Sequence, residues 1–399
     1  MRLIYSTETD LSIDNGPGIN EREFVDSLVN DYGDKIKCII PYPKYPQKYF
    51  NPKIEYVFPH YSKLFRYPIY LLALAHRLLR LDCTYQFDAF VFRLGIAPVI
   101  PFISGSLLKK PVLLKTLAGY YAFEKENRNW KRRALAIVTH PFYRSVVQKA
   151  LAADTVSIPY IEWLHDQFGI DRKKVRVIPN GANVDFFSLQ DKVNCRAELG
   201  LDHFSKIVGY VGALDSLRHI DDLILAMQQI NKQEHVGLVL VGSGEGEEKY
   251  KQMVHSLGLK SNVIFTGKVS YQEVPKYMNA FDIGIDLSLI PMQVGDVRYC
   301  ASYSQKIPQY LSCGLPVVAW NTEDTLFLTR ERIGDVAQVG NIDDLATVIS
   351  TQLSKYTIDD DNMCMRARDY AVSNFSTQVL SAQRVELWGS SLKNMNRKS

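Results

Sequence analysis

The six cysteines of this 399-residue chain (38, 83, 195, 300, 313 and 364) form no C-x-x-C pair and share no metal-type spacing with histidine. They suggest neither a disulfide framework nor a zinc site, and a reducing cytosol suits them best. No apolar run approaches the roughly 20 residues of a membrane span. No low-complexity tract interrupts the chain, and no G-x-G-x-x-G fingerprint or nucleic-acid module is present. MRLIYSTETD at the N-terminus reads as a short strand rather than a leader, so no secretory signal is expected. His60, His76, His140 and His165 stand in unrelated contexts, none paired with a carboxylate at a telling spacing.

What is present is the composition of an ordinary globular protein, long enough that two domains are expected. The formal net charge of +4 hides an asymmetry. Residues 1–180 hold 26 Lys and Arg against 17 Asp and Glu, whereas residues 181–399 hold 21 against 26. The basic half is expected to meet an anionic partner: nucleic acid, an anionic membrane surface or an anionic substrate. Nucleic acid falls behind for want of a module.

In the first half, β-rich runs at Arg2–Ser6, Ile36–Ile40, Ile54–Phe58, Ala89–Arg93, Val112–Thr116 and Thr155–Ile158 alternate with helical patterns near Asn20–Asn30, Pro68–Leu81, Ala97–Leu108 and Asn129–Leu151. Such alternation predicts an α/β fold with a doubly wound parallel sheet, whose ligands bind beyond the C-terminal strand ends. After the first strand, Gly16 and Gly18 precede a helix start, where a phosphate or sugar is able to approach the backbone. A plain Asn/Gly/Pro turn explains them equally well. Residues 60–81 are apolar around most of a helix with Lys63, Arg66, Arg77 and Arg80 towards the ends. They read either as an interfacial helix on an anionic bilayer or as a core helix, with the core reading slightly preferred. Residues 129–149 carry Trp130, Lys131, Arg132, Arg133, Phe142, Tyr143, Arg144 and Lys149, a basic-aromatic stripe suited to a membrane or anionic acceptor. Glu124, in the loop after a buried strand, is the candidate acid or base.

The second half repeats the pattern. A polar stretch running to about Lys206 reads as an inter-domain linker. Strands follow at Ile207–Val211, Val236–Val241, Val263–Phe265, Phe281–Ile285 and Pro316–Ala319. The stretch RYCASYSQKIPQYLSCGLPVVAW (298–320) reads as a loop, a short helix opening near Ser304–Ile307, a Gly314 stop and a buried strand. Lys306 and Gln309 fall on one face of that helix. Backbone N–H groups, hydroxyls and a lysine at a helix start form an anion site; a solvated surface lysine is the bland alternative. Two Rossmann-like domains facing a cleft are expected, with the cleft as the default site.

VRVIPNGANVDFF, VGYVGALDSLRHIDDLI, LVLVGSGEGEEKY, NVIFTGKVSYQEVPKYMNAFDIGI and the 298–320 stretch, in this order, resemble the GT-B glycosyltransferases, particularly the large family 4 and related bacterial polysaccharide enzymes. The resemblance implies an N-terminal acceptor domain (1–185), a C-terminal donor domain (186–375), and a last helix plus tail (376–399) crossing back onto the first. It implies a nucleotide-sugar donor, a glycan or lipid-linked acceptor in surface polysaccharide synthesis, and no metal or other cofactor, in keeping with the lack of a D-x-D pair in a donor-like context. By the same resemblance Gly212 and Arg218 border the diphosphate, Gly242 lies near the nucleotide, and Lys268 and Val269 present backbone to the base. Glu273 opens the next helix, and Lys306 binds diphosphate or sugar. Ala213, Ala301 and Gln309 replace an arginine and the two glutamates of an E-x7-E motif. Lys306-x-x-Gln309-Tyr310 is similar to the xanthan glucuronosyltransferase group, in which Tyr299, Tyr303 and Ser304 would join the donor pocket. UDP-sugars are the favoured donors, with UDP-glucuronate and GDP-sugars as alternatives. The expected location is cytoplasmic, extending to the inner membrane face through 60–81 and 129–149. A GT-B-shaped binding protein and a nucleotide-sugar epimerase are the alternative functions.

Overall fold

The computed structural model describes residues 1–57, 66–95, 107–116, 130–294, 297–301, 304–358 and 360–397. The chain divides into two compact units. One comprises Met1–Pro179, Pro291–Tyr299 and Thr377–Ser399; the other comprises Asn180–Ile290 and Cys300–Ser376.

The first unit is built on a seven-stranded sheet: β1 (Leu3–Ser6), β2 (Ile36–Pro41), β3 (Glu55–Val57), β4 (Ala89–Leu94), β5 (Val112–Thr116), β6 (Ala152–Thr155) and β7 (Val175–Val177). Its order is β3-β2-β1-β4-β5-β6-β7, with the recorded pairs parallel, for example Leu3 beside Ile36 and Ala89. The order reverses between β1 and β4. The helices described are α1 (Gly16–Asp31), α2 (Arg66–Tyr85), α3 (Trp130–Lys149) and α4 (Ile158–Phe168).

The second unit holds a six-stranded sheet. Its strands are β8 (Lys206–Val211), β9 (Val236–Val241), β10 (Val263–Gly267), β11 (Ile283–Asp286), β14 (Val317–Trp320) and β15 (Gly334–Ala337), in the order β10-β9-β8-β11-β14-β15. A separate two-stranded hairpin, β12 (Ile290–Val294) and β13 (Val297–Ala301), falls between β11 and β14 in sequence. Helices α5 (Lys192–Leu199), α6 (Ile220–Ile230), α7 (Glu247–Ser256), α8 (Val274–Ala280), α9 (Lys306–Ser312), α10 (Phe327–Arg330), α11 (Ile342–Ile358) and α12 (Asp360–Phe375) surround it. α13 (Thr377–Asn396) belongs to the first unit.

Strand β9, VGLVLV, is buried at all its residues, as a parallel strand covered on both faces demands. α6 buries Ile220, Leu223, Ile224, Met227 and Ile230, a one-sided stripe at helical spacing. Two cores result, one on each face of the second sheet. In the first unit Tyr5 and Phe24 meet Trp388 of α13, with ring centroids 6.4 and 6.3 Å away. Two Rossmann-like parallel sheets are what the alternation of strands and helices predicted.

Several local expectations are corrected. The strand expected at Thr155–Ile158 ends at Thr155; Ser157 is instead the N-cap of α4, where Pro159 fits a first helical turn. The supposed linker contains α5, whose Cys195 is buried and whose Arg196 donates to the Ala280 carbonyl (2.8 Å) and Asp282 (2.6 Å). Residues 298–301 are not loop but strand β13. The helix after β1 begins at Gly16, not Asn20. α2 buries Leu74, Leu78 and Leu81 against Phe90 and Phe92, so along this part the core reading holds. Residues 58–65, and most of the helix expected at 97–108, lie outside the described residues.

Candidate functional site

The second sheet reverses direction between β8 and β11, the position at which open α/β sheets bind ligands beyond their C-terminal strand ends. The turn after β8 begins at Gly212, with φ at +151°, a conformation side chains rarely adopt. A Cβ there would also sit 2.6 Å from Lys306 Cε. Gly212 is thus required twice, by its backbone and by the lysine stem lying against it. Gly242, at φ +136°, presses against the Gly212 carbonyl, and any Cβ would collide with it. The turns interlock through backbone alone: Gly212 N donates to Val241 O (2.8 Å), Leu214 N to Ser243 O (3.2 Å), Gly246 N to Leu214 O (2.9 Å) and Gly242 N to Gly267 O (2.9 Å).

Lys306 opens α9, which has only seven residues, so the lysine rather than the helix dipole supplies most of the positive charge. Its Nζ donates to Ser288 Oγ (3.1 Å) and lies 3.4 Å from Asp286 Oδ1 and 5.3 Å from the Tyr210 ring centre. Ser304 Oγ accepts from Lys306 N (3.1 Å) and is 3.5 Å from Nζ. Burial pushes the Lys306 ammonium below the usual lysine range, and Arg218 adds to this, while Asp286 pulls it back up. For Asp286 burial acts to raise the carboxyl, but the Lys306 charge, the Ser288 and Ser304 hydroxyls and the Arg218 charge together outweigh it and hold the group low. Tyr310 fixes the helix in place: its hydroxyl accepts from Val211 N (2.8 Å) and lies 3.4 Å from Ile285 O. Its ring packs where Gly284 has no side chain.

Arg218 ends the 3-10 turn Ser216–Arg218, with Nε 3.5 Å from Asp215 Oδ1. Arg218 Nε and Gln305 Nε2 are buried and make no hydrogen bond among the described residues. Gln309 lies one turn after Lys306 on α9. Lys306, Ser304 and Arg218 lie near the Gly212 turn. The others do not all join them. Lys268 is exposed, and the partly buried Val269 packs on the hydrophobic core. Glu273 accepts from Ser270 N (3.1 Å) and Oγ (2.7 Å), so its carboxylate closes a capping box. Tyr299 falls in β13, and Tyr303 and Glu124 lie outside the described residues. Gly16 and Gly18 are inside the first turn of α1. Gly18 N already donates to Asn15 Oδ1 (2.8 Å), and its missing Cβ makes room for the Ile13 carbonyl, which gives this glycine a structural account.

Asp286, Ser288 and Tyr210 were missed from sequence. So was a buried network in the first unit. Glu21, on α1, holds Lys115 Nζ at 2.7 Å and Arg93 Nη1 at 3.2 Å and accepts from the Tyr5 hydroxyl. Burial acts to raise the Glu21 carboxyl, but the Arg93 and Lys115 charges prevail and hold it at about 2; burial brings Lys115 down to about 8. Arg93, Lys115 and Asp286 share one feature: each is a charged residue near the C-terminal end of an apolar strand.

Taken with the two sheets, this geometry defines the class: the chain has the GT-B fold. Within it, residues 191–371, which lie largely in the second unit, match the family model described as glycosyl transferases group 1. The chain is 30% identical over 133 residues to an uncharacterized glycosyltransferase of Methanocaldococcus jannaschii, covering 32% of this chain and 34% of the relative. It is 29% identical over 192 residues to a D-inositol 3-phosphate glycosyltransferase of Segniliparus rotundus, covering 46% and 40%. The chain thus spans well under half the length of these curated relatives. Among solved structures, Anabaena HepE in complex with UDP superposes with a TM-score of 0.70 at 19% identity, covering 98% of this chain and all of HepE. A glycosyltransferase from Rickettsia africae gives a TM-score of 0.75 at 17% identity, covering 98% and 99%. The likeness peculiar to the xanthan group is not among these findings.

Proposed function

We propose that the chain is a glycosyltransferase that moves a sugar from a nucleotide sugar, a UDP-sugar first of all, to a glycan or lipid-linked acceptor. The observation that carries this is the Lys306 stem laid against the Gly212 turn, with Arg218 nearby, inside a glycosyl transferases group 1 domain. As the bond from the sugar to the diphosphate breaks, negative charge builds on the leaving oxygen. Two fixed cations in a partly desolvated pocket stabilise that charge without reorganising. They perform the neutralisation a divalent metal performs elsewhere, so donor binding should survive EDTA. HepE was solved with UDP and with UDP-glucose, which supports UDP as the first nucleotide to test here.

The purified chain should be titrated with UDP, GDP and a panel of their sugars, UDP-glucuronate included. Lys306→Ala should weaken UDP binding by roughly tenfold or more, the loss of one charge-assisted contact. Undiminished affinity in that variant would remove the phosphate role of Lys306. A non-catalytic binding protein is the second reading, favoured by Ala301 and Gln309 standing where charged residues are expected. Nucleotide binding without sugar transfer or hydrolysis across the panel would favour it. On the acceptor side, α3 leaves Trp130, Ile137, Val138 and Phe142 45–72% exposed beside basic residues, which supports peripheral contact with an anionic bilayer. Tyr143 is not part of that stripe, since it is buried against Phe168. Among the described residues no helix is long and apolar enough to cross a membrane.

A further inference from the structure

We propose that Asp286 is a positioning residue of this site: its buried carboxylate keeps the Lys306 ammonium charged and held against the Gly212 turn before any ligand arrives. The inference rests on the reading of Lys306 as a phosphate ligand. Asp286 is the last residue of β11, and its side chain is fully buried, while that of Lys306 is 13% exposed. Oδ1 does all the visible work. It accepts from Ser288 Oγ (2.6 Å) and from Ser288 N (3.3 Å), and it lies 3.4 Å from Lys306 Nζ. Ser288 Oγ in turn accepts from Lys306 Nζ at 3.1 Å, so carboxylate, hydroxyl and ammonium form a closed triangle. Oδ2 is buried and takes no hydrogen bond among the described residues, while the Ser304 hydroxyl and the Arg218 charge add smaller support for the carboxylate.

An ammonium removed from water tends to lose its proton unless an opposite charge stands close. Among the described residues, the groups acting on Lys306 include Asp286 from β11, Arg218 and Asp215 from the turn after β8, the face of Tyr210 from β8, and the Ser288 and Ser304 hydroxyls. Arg218 works against the charge. Among the described residues Asp286 is the one acidic group in direct contact with it. Without it, a ligand phosphate would have to recruit a proton as well as a lysine.

That difference is measurable. In the ligand-free protein with lysines labelled at Cε, NMR should show Lys306 titrating at lower pH in Asp286→Asn than in wild type, the resonance being assigned by its loss in Lys306→Arg. In calorimetry across buffers of different ionisation enthalpy, at a pH just above the variant's Lys306 midpoint, Asp286→Asn should take up more protons on binding UDP than wild type does. Above the Lys306 midpoint the variant's affinity should fall about tenfold per pH unit, the slope of one linked proton. Adding Lys306→Arg to Asp286→Asn should remove that slope, because arginine keeps its charge. An unchanged Lys306 titration in a folded Asp286→Asn protein would overturn the proposal, as would a pH-independent loss of UDP binding. If instead the titration shifts and Lys306→Ala binds UDP normally, the charge-holding role stands and the phosphate reading is the part that fails.

Discussion

Glu21 shows how much one side chain is asked to do. Its carboxylate is fully buried and satisfies Lys115, Arg93 and Tyr5 together. Removing one partner of such a set leaves charges uncompensated, so Glu21→Gln should cost about 3–5 kcal/mol, read as a fall in denaturant midpoint. The acid limb follows from the same contacts. The Glu21 carboxyl sits at about 2 in the folded chain against an ordinary 4.5. The unfolded chain therefore binds the proton first, and stability present above pH 4.5 drains away as pH falls towards 2, by on the order of 3 kcal/mol. Urea titrations between pH 6 and 3 should show this decline in wild type and a much flatter profile in Glu21→Gln. His219, beside Arg218, is held at φ +50° and pairs with Asp222 at 3.1 Å while packing edge-on to Trp320. Glycine fits that backbone without strain, so His219→Ala should destabilise more than His219→Gly.

At the scale of elements, α9 is a seven-residue helix that would not persist alone. It is held by Tyr310, whose ring fills the space above Gly284 and whose hydroxyl takes the Val211 amide. Tyr310→Phe keeps the ring and orphans that amide. The expected cost is about 1–3 kcal/mol, with weaker UDP binding because Lys306 rides on the same turn. If stability falls and UDP affinity does not, the link between anchor and lysine is refuted. Most strands of both sheets were legible because parallel strands are apolar without interruption and end in glycine or charge, as VGLVLVG and VLLKT do; β6 was read three residues late and β15 was not read at all. The polar stretch that became α5 was not. Its hold on the unit comes through Arg196 reaching Asp282, a contact 86 residues apart that no local pattern records. Asp286 was hidden for the same reason. Within DIGIDLS it looks like a stray acid closing a strand, and only the fold brings Lys306 to it.

For the whole molecule, the last helix matters beyond its length. Arg384 of α13 reaches Asp154 Oδ2 at 3.0 Å and the Ile178 carbonyl at 3.0 Å, and Trp388 covers Tyr5 and Phe24. The first unit is therefore completed by the end of the chain. Truncation after Ser376 should lower Tm markedly and expose apolar surface, seen as new dye binding. The charge asymmetry belongs to this scale too. A basic first half with an exposed apolar stripe on α3 should retain the chain on anionic vesicles at low salt and release it as ionic strength rises. Ile137→Asp should reduce retention without changing Tm; recovery of wild-type protein in the soluble fraction at every salt concentration would exclude the surface.

The backbone latch among the Gly212, Gly242 and Gly267 turns has a consequence for variation. Because these turns hold one another through peptide groups, their non-glycine side chains are free to change while their glycines and their lengths are not. A residue inserted between Gly212 and Leu214 would break the pairing with Ser243 and Gly246 together, whereas Ala213 can be exchanged at little cost to the frame. The surface of these turns should therefore be open to redesign by substitution at Ala213 and Ser243, and closed to redesign by grafting loops of other lengths.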